Sequence, residues 1–140
     1  RKLAESALEQ LEPYYTLQKP WTSDAPLPGG DFPHDGVEAE TQKLQAAYGF
    51  LTEPWAKRLV RAYGTEAAEL LGDAKTLDDL GTHFGAGLTA REVDWLNAKE
   101  WAHSTDDLLW RRTKLGLRMA PEQVEMLSAY LADRPAAAAE

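Results

Sequence analysis

The chain has 140 residues, 44% apolar and 27% charged, which suits one domain with a genuine core and not a disordered tail. Fifteen basic against 23 acidic residues give a net charge of −8. That balance excludes a broad nucleic-acid surface and argues against a main anchor on an anionic membrane. Cysteine is absent, which removes disulfides, thiol nucleophiles and thiolate-bound metals.

Arg1-Lys2-Leu3 has no initiator methionine and does not resemble a signal peptide; it reads as a cut inside a longer chain. Residues 2–12 read as a short helix, with Leu3, Ala4, Ala7, Leu8 and Leu11 on one face and Pro13 closing it. Residues 13–37 hold Pro13, Pro20, Pro26, Pro28 and Pro33 among Gly29, Gly30 and Gly36. Neither helix nor strand survives that density, so this is an extended connector. Tyr14, Tyr15, Trp21, Leu27 and Phe32 make it too apolar for a free linker. It is expected to lie across a protein surface.

From Glu38 onward the pattern is helical. Residues 38–48 form a modest helix with Leu44, Ala47 and Tyr48 inward. Thr52 caps a second, in which Trp55, Leu59 and Tyr63 recur every four residues and Gly64 stops it. Thr65 opens a shorter helix around Leu70 and Leu71 that ends at Gly72. Thr76 and Asp79 have capping-box spacing for a single turn over Leu77–Leu80.

Thr89-Ala90-Arg91-Glu92 reads as a full capping box, flanked by Leu88 and Val93 as a hydrophobic staple. Its helix runs to about Trp101. Ser104 and Asp107 cap the next, which reaches Leu115 before Gly116. Pro121 starts a last helix with Val124, Leu127 and Leu131 on one face, and Ala136–Ala139 is expected to fray. No stretch of 38–140 alternates at period two. The prediction is an all-α bundle of about six short helices behind a Pro/Gly-rich connector, divided into 1–37 and 38–140.

Chemistry-bearing patterns are sparse. His34, His83 and His103 have no metal-ligand spacing, so no metal is expected. Gly85-Ala86-Gly87 follows no strand and reads as the bend before the Thr89 cap; Gly29-Gly30-Asp31-Phe32 belongs to the connector. The carboxylate pairs Asp78/Asp79 and Asp106/Asp107 suit helix N-termini, and Asp107 with Arg111 suits an i,i+4 ion pair. The densest segment runs from Glu100-Trp101-Ala102 to Asp107-Leu108-Leu109-Trp110-Arg111-Arg112-Thr113-Lys114. It interleaves bulky aromatics with charges. Its plain reading is a structural polar network; its sharper one is a domain-docking surface made by Trp101, Trp110, Arg111, Arg112 and Lys114.

This segment also carries a resemblance. Asp79-Leu80-Gly81-Thr82-His83-Phe84-Gly85, Thr89-Ala90-Arg91-Glu92-Val93, Glu100-Trp101-Ala102 and Asp107 through Gly116 resemble the C-terminal domain of aerobic, FAD-dependent glycerol-3-phosphate dehydrogenases. Arg1-Lys2-Leu3-Ala4-Glu5, Leu27-Pro28-Gly29-Gly30 and Phe50-Leu51-Thr52-Glu53 agree in order. Trp110-Arg111-Arg112-Thr113-Lys114 is the most specific part.

The resemblance implies a parent that oxidises sn-glycerol 3-phosphate to dihydroxyacetone phosphate, reduces FAD and passes electrons to quinone. A related branch, the glycerol-3-phosphate oxidases, uses oxygen. It implies a cytoplasmic parent associated peripherally with the inner face of the membrane. FAD and substrate belong to N-terminal domains on which this helical part sits as a cap, with homodimerisation as a further role. The family's flavin-binding glycine motif and a Gly-Gly-Lys segment just before the position of Arg1 are not in this sequence. No catalytic or cofactor-binding residue carries over; Arg1 alone is expected near the active site of the intact enzyme.

Overall fold

The structure, a computed structural model, describes residues 1–19 and 21–133; the expected fraying of Ala136–Ala139 lies outside them. It is an all-α bundle of short helices, α1 (Lys2–Glu9), α2 (Val37–Ala47), α3 (Glu53–Tyr63), α4 (Glu66–Leu71), α5 (Ala90–Glu100) and α6 (Pro121–Ala132).

Glycine ends α3 and α4. Gly64 and Gly72 take φ of 57° and 58°, a left-handed setting that costs a residue without Cβ least. Gly64 has a second reason to be glycine. Its backbone meets Gly29 of the connector so closely that a Cβ on either would overlap the other segment's backbone. Thr65 N–H donates to the Gly29 carbonyl at 3.1 Å, and the Thr65 hydroxyl donates to Asp31. The connector is thus clamped to the bundle at this point.

Two expectations about helix ends need correction. Residues 10–14 form turns, not a continuation of α1, because Pro13 has no N–H to extend the ladder. Ala47 is exposed on α2; Thr41 takes the inward place, its hydroxyl satisfied by the Val37 carbonyl at 2.8 Å.

Residues 83–89 hold a feature absent from the sequence reading. β1 (His83–Gly85) and β2 (Leu88–Thr89) pair antiparallel across Ala86-Gly87. Both turn residues have positive φ, 51° and 79°, the requirement of a tight hairpin turn matched to strand twist. Phe84 and Leu88 are fully buried. Phe84 stacks at a tilt on Tyr130 of α6, with 5.0 Å between ring centres, so the hairpin joins the last helix to the core.

The core gathers Leu59 and Val60 of α3, Leu70 and Leu71 of α4, Val93 and Leu96 of α5, Leu108, Leu109 and Leu127. Burying each of these side chains contributes roughly 1.5–3 kcal/mol. Arg91 adds a polar tie: its guanidinium donates to the Leu71 carbonyl at 2.9 Å and the Asp79 carbonyl at 3.2 Å, fastening the end of α4 and the Asp78–Leu80 turn to α5.

Candidate functional site

Three polar side chains meet inside the bundle. Glu92, 1% exposed, faces Arg58 and Tyr63 of α3. Arg58 Nη1 donates to Oε1 and Nη2 to Oε2, each at 2.7 Å, and the Tyr63 hydroxyl donates to Oε1 at 2.7 Å. Arg58 Nη2 also reaches the Gly87 carbonyl at 2.7 Å, linking α3 to the hairpin turn. Burial works against the Arg58 charge, but the hydrogen bonds and charge of Glu92 outweigh it and hold the guanidinium pKa above its ordinary value. Burial, then the carboxylate, pushes the Tyr63 hydroxyl far up, so it stays a neutral donor.

This corrects the capping-box reading of α5. Thr89 does accept the Glu92 N–H, at 3.5 Å. The other half is missing, because the Glu92 carboxylate turns inward to a cation that the sequence places 34 residues away. Leu88 and Leu96, four residues either side of Glu92, are both buried, and that apolar stripe is the signal by which Glu92 could have been found.

The second assembly is the aromatic and basic segment after α5. Trp101 ends that helix in a left-handed conformation (φ 54°, ψ 35°) with its side chain 79% exposed. The reciprocal cap between Ser104 and Asp107 is present: Asp107 N–H donates to Ser104 Oγ at 3.1 Å, and Ser104 N–H to Asp107 Oδ2 at 3.0 Å. Ser104, first by its hydroxyl and then by its N–H, lowers the Asp107 pKa to about 2, with Arg111 adding to the effect.

Residues 107–112 form a wider π-helical turn, not an α-helix running to Leu115. Thr113 N–H reaches the carbonyl of Leu108 at 3.0 Å, and Lys114 then takes φ 59°. Such turns recur at functional sites. Trp110 lies 45% exposed over Gly116, where a Cβ would sit 2.6 Å from the indole ring.

Arg111 pairs with Asp107 at 2.7 Å. Arg112 pairs with Glu100 at 3.3 Å and donates to its carbonyl at 2.6 Å. Lys114 donates to the Trp110 carbonyl. The five residues singled out for docking therefore share one chain segment. Its charges are largely tied to neighbours, while its indoles stay open.

A third region is the first 27 residues. α1 buries none of its side chains, and Leu3, Leu8, Tyr14, Tyr15, Trp21 and Leu27 are all exposed, Leu3 at 82%. Arg1 donates to the carbonyls of Ala25 and Ser23 at 3.3 and 3.4 Å, folding the connector back along α1. Between them runs a groove of about 240 Å³ in which Leu8, Leu17 and Trp21 sit beside Glu5, Glu9 and Glu12.

The histidines stay apart in role. His103 Nδ1 contacts Asn97 Nδ2 at 2.9 Å, and His83 meets Trp55 edge to face at 6.0 Å. No group of three or more candidate metal ligands occurs among the described residues. Nor, among those residues, is any helix long and apolar enough to cross a membrane.

Comparison with known proteins decides the family. Residues 20–132 match the C-terminal domain of alpha-glycerophosphate oxidase. The chain belongs to that domain family. Over 94% of its length the domain is 49% identical to a glycerol-3-phosphate dehydrogenase of Pseudomonas aeruginosa, and over 95% it is 42% identical to the aerobic glycerol-3-phosphate dehydrogenase of Escherichia coli. It is 35% identical over 81% of its length to a D-erythritol 1-phosphate dehydrogenase of Brucella abortus. The domain spans about a quarter of these relatives, 26%, 26% and 23%.

Proposed function

We propose that this domain is the non-catalytic helical cap of an FAD-dependent glycerol-3-phosphate dehydrogenase. The intact enzyme takes sn-glycerol 3-phosphate to dihydroxyacetone phosphate and passes electrons from the reduced flavin to quinone. The observation that carries the reading is the near full-length likeness to proteins named for that activity. FAD and substrate are held by the N-terminal domains, and Arg1 lies near the active site of the intact enzyme. The parent works in the cytoplasm, peripherally on the inner face of the membrane.

The exposed apolar strip supports the cap role. An apolar helix face bared over Leu3 and Leu8, continuing through Tyr14, Tyr15 and Trp21, is costly in water and suits burial against another domain. Residues 1–37 therefore go with the flavin and substrate domains, while 38–140 form the cap. Trp101, Trp110, Arg111, Arg112 and Lys114 supply a second docking face, toward those domains or a second copy; open indoles beside arginines suit such contacts.

The test is an assay of intact protein and isolated chain side by side, with glycerol 3-phosphate and a quinone analogue, and with oxygen as the alternative acceptor. Flavin and turnover are expected in the intact protein alone. Tight flavin binding or turnover by the 140-residue chain would overturn the cap reading. Peroxide formation without quinone reduction would move the parent to the oxidase branch.

A further inference from the structure

The backbone departs from ordinary geometry repeatedly between residues 101 and 114. Trp101 and Lys114 are left-handed, at φ 54° and 59°, where a side chain costs energy, and the π-helical turn over 107–112 lies between them. Neighbours hold this arrangement in place. Asn97 Nδ2 donates to the Ala102 carbonyl at 3.3 Å and Arg112 to the Glu100 carbonyl at 2.6 Å, so the Trp101 backbone is pinned on both sides. Lys114 hydrogen-bonds the Trp110 carbonyl. The strained segment leaves both indoles open, and Leu117, next along the chain, is 75% exposed.

Together these three side chains bare on the order of 400 Å² of apolar surface, taking ~150–250 Å² for a whole aromatic side chain. That is about half of the ~800 Å² each partner gives to a stable interface, close to the apolar share such interfaces carry. The surrounding charges have both signs. Glu100, Asp106 and Asp107 stand against Arg111, Arg112, Lys114 and Arg118, three acidic to four basic, in a chain with 23 acidic to 15 basic residues. Two copies of a chain of net charge −8 repel one another, but this stretch does not add to the repulsion. Asp106 and Lys114 are both exposed, and no salt bridge engages either among the described residues. Open apolar side chains interleaved with one anion and one cation that lack a charged partner form a self-complementary surface, which is what a two-fold contact requires.

We propose that this face joins two copies of the chain in an isologous dimer, with Trp101 and Trp110 of each copy buried against the other and Lys114 of each facing the partner's Asp106. Indoles at the middle of an interface supply most of its energy, and the two symmetry-related ion pairs fix its register. The dimer rests on the docking face proposed above and not on the parent's activity, so a flavoprotein whose cap stays monomeric would lack it and keep the cap role.

The test is sedimentation velocity of the 140-residue chain over about 1–100 µM. A reversible dimer is expected, weakened about tenfold or more by Trp101→Ala, whose indole lies outside the core. Lys114→Glu and Asp106→Lys should each weaken it about tenfold, because both symmetry-related contacts turn repulsive. An equimolar mixture of those two variants should restore assembly, since every changed charge then meets its opposite. Leu8→Lys, in the exposed strip of α1, should leave the dimer unchanged and so separates the two faces. A chain that stays monomeric throughout, a dimer that Trp101→Ala leaves unaltered or Leu8→Lys abolishes, or charge variants that the mixture fails to rescue would overturn the interface.

Discussion

Arg58 and Glu92 join α3 to α5 through two parallel hydrogen bonds of 2.7 Å, each guanidinium nitrogen on its own carboxylate oxygen. The carboxylate is fully enclosed, while the arginine side chain keeps 19% of its surface. Tyr63 completes the acceptor set of Glu92. The pair therefore fixes how the two central helices sit, and it does so under the hairpin turn that Arg58 also holds.

Removing one member leaves a buried charge without its partner. Arg58→Ala is expected to destabilise the domain by about 3–5 kcal/mol, read from urea unfolding midpoints, because it strands the enclosed carboxylate, with Glu92→Ala losing less because the arginine left behind is partly wet. The double variant Arg58→Met/Glu92→Leu should recover most of the loss, since apolar replacement removes both desolvation penalties. A double variant as unstable as the sum of the singles would show that the two residues act independently.

Gly64→Ala tests the clamp between connector and bundle. The position has φ 57°, and a Cβ would collide with the Gly29 carbonyl. A loss of more than about 1 kcal/mol is expected, because alanine is placed where the backbone suits glycine. Amide exchange should accelerate at Thr65, whose N–H bonds Gly29. Unchanged exchange at Thr65 would remove the clamp from the account.

Asp107 sets an acid response. Its pKa is lowered to about 2 in the folded chain from an ordinary 3.8. The unfolded chain therefore takes the proton first. The stabilisation is whole above the ordinary value and is lost as pH falls from there toward about 2. The amide shifts of His103 and Ser104, whose N–H groups donate to this carboxylate, should titrate at the low end of that window, at about pH 2. Asp107→Asn should abolish the titration and loosen the π-helical turn; an unaltered curve would assign it to another carboxyl.

Much of this was legible from local chemistry. Gly64 and Gly72 mark helix ends because positive φ is cheapest at glycine, and Pro121 marks a start because its missing N–H costs nothing there. Ser104 and Asp107 cap one another as their spacing predicts. What escaped depends on the tertiary partner. Thr89-x-x-Glu92 is the pattern of a capping box whether the glutamate turns back to the backbone or inward to an arginine, and only folding brings Arg58 within reach. The hairpin's strands are too short for a period-two signal, and Ala86 gives no hint of its positive φ.

If the domain caps a flavoenzyme as proposed, the bared apolar strip of residues 1–27 is covered in the intact protein. Hydroxyl-radical footprinting of Tyr14, Tyr15 and Trp21, compared between the intact protein and the 140-residue chain, tests it most directly. Labelling is expected to be several-fold lower in the intact protein at all three side chains, with buried Phe84 unreactive in both. Equal labelling of the three in the two proteins would contradict it.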